Sequence, residues 1–156
     1  MPTAIVTPEQ DTIISEIEIA APPERVFKAL SDASQLQGWF GSPTCALKSW
    51  TMDARVGGHY GYTQAGSNEV NGVREFECHG QITECDPPRV IAYTWIANWH
   101  DDKSVPTQVR WELTPKQKGT HVKVTHSGLT NLPAARKDYS GGWPGVVEQL
   151  KKFVEA

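Results

Sequence analysis

Residues able to do chemistry are few in this chain. His126 ends the alternating run Val122-Lys-Val-Thr-His126 and falls on the same side as Val122 and Val124. An imidazole on an apolar face is either a satisfied core side chain or a group that holds a ligand or moves a proton. Glu84 and the phenols of Tyr60, Tyr62 and Tyr93 also fall on inward sides of their strands. With His126 they are the polar groups that could orient a ligand or transfer protons. Asp53 and Arg55 beside Gly57-Gly58 read as a turn-fixing pair. His59, His79 and His121 fall on outward faces at no metal-ligand spacing, so no metal is expected. There is no Gly-rich phosphate loop, G-x-S-x-G elbow or Cys/His nucleophile pattern, and no cofactor is expected.

The rings are the second signal. Six tryptophans stand in 156 residues. Trp39, Tyr60, Tyr62, Phe76, Tyr93, Trp95, Trp111 and Trp143 all fall where a core would be. Any one of them fits a plain core. Eight rings meeting inside a curved sheet are hard to pack without voids, and apolar pockets with a few polar groups are what ligand sites look like. The candidate pocket set is therefore these eight with Glu84, His126 and Val147.

Sheet and helix signals must position that set. Ile17 and Ile19 alternate with Glu16 and Glu18, which predicts a strand over 12–19. Pro22-Pro23 opens a short helix carrying Val26, Phe27 and Leu30 on one side, and a second short helix ends near Gly38. Strands are predicted over 44–50 and from His59, and the polar, Gly/Asn-rich stretch 64–72 reads as a loop.

Asp86-Pro-Pro-Arg89 reads as a hairpin turn. Setting Cys85 opposite Val90 places Glu84 against Ile91, Ile82 against Tyr93 and Gly80 against Trp95. Phe76, Cys78, Ile82, Ile91, Tyr93 and Trp95 then share an apolar face. Gly80 would leave room for the Trp95 indole to cross its strand. A second hairpin turns at Pro115-Lys-Gln-Lys-Gly119 and pairs Leu113 with Val122, Trp111 with Val124 and Val109 with His126. Trp143, Val146, Val147, Leu150, Phe153 and Val154 follow helical spacing. Pro144 suits the first turn of that helix, with a shorter turn or helix over 133–139 before it. The expected fold is α+β: a curved antiparallel sheet of about six to seven strands wrapped around a long C-terminal helix, with two short helices after the first strand.

Length and composition bound the rest. The chain suits one domain, read as residues 12–156 behind a flexible tail over 1–11. Net charge is −3 without a basic run, so nucleic acid is not expected as a partner. No apolar stretch approaches a membrane span, and the N-terminal decapeptide lacks the pattern of a signal peptide. Cys45, Cys78 and Cys85 are odd in number and form no C-x-x-C, which points to a reduced, cytoplasmic setting. The state expected is a monomer or homodimer.

Six segments in order carry a resemblance: Glu18-Ile-Ala-Ala-Pro-Pro-Glu-Arg-Val-Phe27, Trp39-Phe40 and Asp53-Ala-Arg-Val-Gly-Gly58; then His79 to Pro88 running into Tyr93-Thr-Trp95, Gly119 to His126, and Gly142 to Leu150. Over about residues 13–155 the chain resembles the START/birch-pollen-allergen-like (SRPBCC) superfamily, in the branch named after the activator of the heat-shock-protein-90 ATPase. The resemblance implies a helix-grip fold with a cavity between sheet and C-terminal helix. It implies binding of a small hydrophobic molecule, lipid-like or aromatic. A polyketide cyclase or aromatase activity and a co-chaperone role acting on heat-shock protein 90 stay open beside it.

Overall fold

The computed structural model describes residues 4–7, 11–41, 45–70 and 72–156. Its strands are β1 (Ala4–Val6), β2 (Ile13–Ile19), β3 (Cys45–Met52), β4 (His59–Val70), β5 (Val73–Asp86), β6 (Val90–Ala97), β7 (Thr107–Lys116) and β8 (Gly119–Ser127). Helices α1 (Pro23–Ser31) and α2 (Ala33–Trp39) lie between β2 and β3, and α3 (Pro133–Glu155) ends the chain. One antiparallel sheet runs β1-β2-β8-β7-β6-β5-β4-β3. Six strands meander from β3 to β8, and β2 returns to the β8 edge. The fold is α+β and consistent with a helix grip. It has one strand more than the upper expectation, because Ala4–Val6 pair with β2 inside the stretch read as a tail.

Local chemistry explains each element. Pro23 opens α1, where a missing N–H costs nothing. Asp32 caps α2 by accepting from the Ser34 N–H at 2.9 Å. The stretch 64–72 differs from its reading as a loop. The strand continues to Val70, with the ladder interrupted between Ala65 and Val70. Helix α3 is one helix of 23 residues, with Pro144 in its interior and not at its start. It holds Pro144 and three glycines because its inner side is packed: Ala135, Tyr139, Trp143, Val147, Leu150 and Val154 are buried. Packing outweighs local propensity there.

The β7–β8 register matches the sequence reading pair for pair: Leu113 with Val122, Trp111 with Val124, Val109 with His126. The β5–β6 register matches only on one side. Ile82 faces Tyr93 as expected, but the pairing then shifts, so Glu84 faces Ala92 and Cys85 faces Ile91. One extra residue on β5, a bulge, turns the side chains beyond it to the opposite face.

Gly80 also has another reason to be glycine. A Cβ there would overlap the backbone carbonyl of Thr94. That carbonyl accepts from the hydroxyl of Tyr60 at 2.7 Å. The missing side chain makes room for the neighbouring strand's backbone, and not for the Trp95 indole.

Candidate functional site

Between α3 and the β4–β6 part of the sheet lies a cavity of about 410 Å³, partly open to solvent. Roughly 300–1,000 Å³ is the range in which small-molecule sites fall. Six rings wall it: Phe40, Tyr62, Trp95, Trp99, Tyr139 and Trp143. They touch in sequence, with ring centres 5.1 Å apart for Phe40 and Tyr62 and 5.6 Å for Tyr62 and Trp95. Trp95 and Trp143 are 5.8 Å apart, and Trp99 and Tyr139 are 6.2 Å apart. Gly141, Gly142 and Gly145 share the helix side with Tyr139 and Trp143, and a Cβ built on any of the three glycines meets nothing within 4 Å. All three glycines are exposed, so the open space beside them belongs to the solvent-facing mouth of the cavity. Gln64, Asp138 and Gln149 supply polar atoms to the lining.

Of the residues expected in the pocket, Tyr62, Trp95 and Trp143 line it. Trp39, Tyr60, Phe76, Tyr93, Trp111 and Val147 belong to the surrounding core instead, and His126 is buried beside them. Their polar atoms are taken up by that core. The Trp39 indole donates to the Ala29 carbonyl at 2.9 Å. The Trp111 indole donates to the Tyr93 hydroxyl at 2.9 Å. Phe76 packs edge-on against Trp99, with ring centres 5.1 Å apart. Burial holds the Tyr60 and Tyr93 phenols well above their ordinary value.

Glu84 is a correction. The bulge on β5 turns it to the outer face, where Oε1 accepts from Arg110 Nε at 3.0 Å. It belongs to a surface ion pair, and its carboxylate does not reach the cavity lining.

His126 is fully buried and fully satisfied. Thr107 Oγ1 donates to the Trp95 carbonyl at 2.7 Å, so its hydrogen is spent. The same oxygen, 2.7 Å from His126 Nε2, must then accept a proton from the ring. On the other side Nδ1 accepts from the Trp143 indole at 3.1 Å. The imidazole is therefore the neutral Nε2–H tautomer, and burial pushes its pKa well below the usual histidine value. Both ring nitrogens are engaged by partners within the core.

A second histidine stands closer to the cavity wall. His100 Nε2 lies 2.7 Å from the Tyr139 hydroxyl, which also accepts from the Trp95 indole at 2.8 Å. Burial lowers the His100 pKa to about 4. Its Nδ1 is buried without a hydrogen-bond partner among the described residues. Next in sequence, Asp101 caps α3: its two carboxylate oxygens accept from the N–H groups of Ala134 and Ala135 at 3.1 and 3.0 Å. That cap ties the β6–β7 loop to the helix and holds Trp99 and His100 against Tyr139.

Sequence reasoning passed over Phe40, Trp99, His100, Asp138 and Tyr139. Trp99 and His100 lie in a turn with no periodicity to read. Tyr139 was readable: it precedes Trp143 by four residues, one helical turn, once α3 is taken as continuous. Among the described residues no group of three His, Cys, Asp or Glu side chains is arranged to hold a metal. Among the described residues no helix is long and apolar enough to cross a membrane.

The family profile described as "Activator of Hsp90 ATPase homolog 1-like protein" matches residues 20–155. Among solved structures, protein CV1439 from Chromobacterium violaceum is 27% identical at a TM-score of 0.77, over 94% of this chain and 99% of that one. The AHSA1-like protein from Aeromonas hydrophila is 23% identical at 0.71, over 92% of both chains. CalU16 from Micromonospora echinospora is 20% identical at 0.67, over 99% of this chain and 83% of its own. No curated protein matches the sequence.

Proposed function

The chain belongs to the Activator of Hsp90 ATPase homolog 1-like family, and from that premise we propose that it binds a small, largely apolar molecule between α3 and the sheet. The observation that carries this reading is the ring-walled cavity of about 410 Å³ with a glycine-lined helix side. A helix interior gains by roughly 0.5–1 kcal/mol for each glycine replaced by alanine. Three glycines in five positions therefore cost stability and return open space beside aromatic faces. Flat apolar molecules fit such a slot because ring stacking adds about 0.5–1.5 kcal/mol per pair beyond simple burial.

The test has two arms. Native mass spectrometry of freshly purified protein should show a bound small molecule. Titration with naphthylethanol, a neutral two-ring probe, should quench tryptophan fluorescence with saturation. Gly142→Leu should abolish that quenching by filling the slot. Unsaturable quenching that is unchanged by Gly142→Leu would remove the reading.

A second reading, acid–base chemistry of the cyclase or aromatase type, rests on the Tyr139–His100 contact. Tyr139 lines the cavity and has a histidine to exchange a proton with. Tyr139→Phe keeps the ring and removes that exchange. Turnover of a bound polyketide-like substrate that survives Tyr139→Phe would exclude this pair as its source. The co-chaperone reading draws no support from the surface: among the described residues the exposed large hydrophobics are Ile5, Val6 and Val56, which form no broad patch.

A further inference from the structure

The cavity lining is uniform in one respect: its charge. Among the described residues no lysine, arginine or histidine lines it, and the one carboxylate is Asp138. Asp138 sits on α3, half-buried, one position before Tyr139. Among the described residues no hydrogen bond or ion pair reaches it. Burial raises its pKa above the ordinary carboxylate value, and no cation among the described residues holds it down.

An ionised group withdrawn from water and left without a partner costs free energy. Around it are aromatic rings, whose faces carry the negative part of their quadrupole. A lone carboxylate and a set of ring faces attract the same kind of ligand. Both favour a positive charge, and an ammonium is the group that satisfies both at once. An anionic ligand would meet Asp138 and the ring faces with no cationic side chain among the described lining residues to offset either.

We propose that the cavity selects an organic cation, an apolar and preferably flat body carrying a protonated or quaternary amine, with the charged nitrogen at Asp138 and the body against the rings. The inference rests on the pocket reading above and adds the charge of the ligand to it.

Three probes of one shape test it: naphthylethylammonium, naphthylethanol and naphthylacetate, each titrated by tryptophan fluorescence at pH 7.5. The cation should bind about tenfold tighter than the alcohol, and the anion more weakly than either. Asp138→Asn should bring the cation to within about twofold of the alcohol when both are titrated against that variant. Asp138→Lys should make naphthylacetate the preferred probe. Equal binding of cation and alcohol to the native protein would overturn the charge assignment and leave the pocket standing. A cation preference that persists in Asp138→Asn would overturn Asp138 as its source. Failure of all three probes to bind would remove the pocket reading and this inference together.

Discussion

The indole N–H of Trp143 donates to Nδ1 of His126, and so α3 and β8 meet through a hydrogen bond inside the apolar core. The bond sets the protonation state of the ring. A proton on Nδ1 would face another donor, so the imidazole must stay neutral for helix and sheet to remain joined. A histidine that sequence alone offers either as a core side chain or as a ligand or proton carrier is spent on holding the back of the cavity together.

Trp143→Phe should therefore be costly beyond the loss of ring area. It leaves His126 Nδ1 buried without a donor and opens a gap in the cavity wall. Together these should lower unfolding free energy by about 2–4 kcal/mol. Urea denaturation followed by far-ultraviolet circular dichroism measures it. A loss under 1 kcal/mol would mean that the contact is dispensable.

Acidification should weaken the fold well before the carboxylates titrate. His100 and His126 both have folded-state pKa values below the unfolded value of about 6.5. In the unfolded chain they bind protons that the folded chain refuses, so stability is intact above that pH and falls below it. The limiting slope is about 1.4 kcal/mol per pH unit for each histidine. For His100 it extends down to about pH 4. Denaturation series between pH 7 and 5.5 should show this fall, and His100→Gln should make it shallower.

His121 should act in the opposite direction. Its Nε2 and Nδ1 lie 2.8 and 2.6 Å from the carboxylates of Glu16 and Glu18, and hydrogen bonding to them raises its pKa. The bridge between β2 and β8 is present below pH 6.5 and is lost as pH rises through the raised folded-state value. The site is partly exposed, so the gain is about 0.5 kcal/mol and shrinks in salt. His121→Gln should flatten the decline of stability between pH 6.5 and 8.5; a decline of the same size in the variant would assign it to other groups.

Gly80→Ala should be among the most damaging single-methyl additions. The added carbon strikes the Thr94 carbonyl, a backbone atom that cannot rotate away and that also receives the Tyr60 hydroxyl. Separation of β5 from β6 at that point should cost about 3 kcal/mol or more. Gly145→Ala, whose Cβ meets nothing, should instead stabilise by about 0.5–1 kcal/mol. Thermal unfolding of the two variants side by side decides both.

How far the sequence could be read depended on unbroken alternation. Val109, Trp111 and Leu113 against Val122, Val124 and His126 could be paired correctly because neither strand has an interruption and Gly119 marks the turn. The same reasoning placed Ile82 against Tyr93 and then misplaced Glu84. A bulge adds one residue, and period-two logic converts that residue into a change of face. The apolar inner side, the terminal helix and the family resemblance were all legible. The cavity wall was only partly so. Tyr62, Trp95 and Trp143 follow strand or helix periodicity. Trp99 and His100 are placed by a loop whose geometry depends on the Asp101 cap, a contact 33 residues apart in sequence. Nothing local encodes that distance. Pro144, normally a sign of helix ends, hid the continuity of α3 and with it Tyr139 and Asp138.

The chain of rings has an optical consequence. Trp111, Trp143 and Trp95 stand in succession with ring centres 5.8 Å apart at each step, fixed in a chiral frame. Indole transitions held that close couple, and coupled transitions produce strong signed bands where isolated tryptophans produce weak ones. Native protein should carry an unusually intense near-ultraviolet dichroic spectrum, reporting the seating of α3 on the sheet without any label. A planar guest among the same rings would add its own transition to the set, so that occupancy of the cavity becomes visible as a change in the sign pattern of the host.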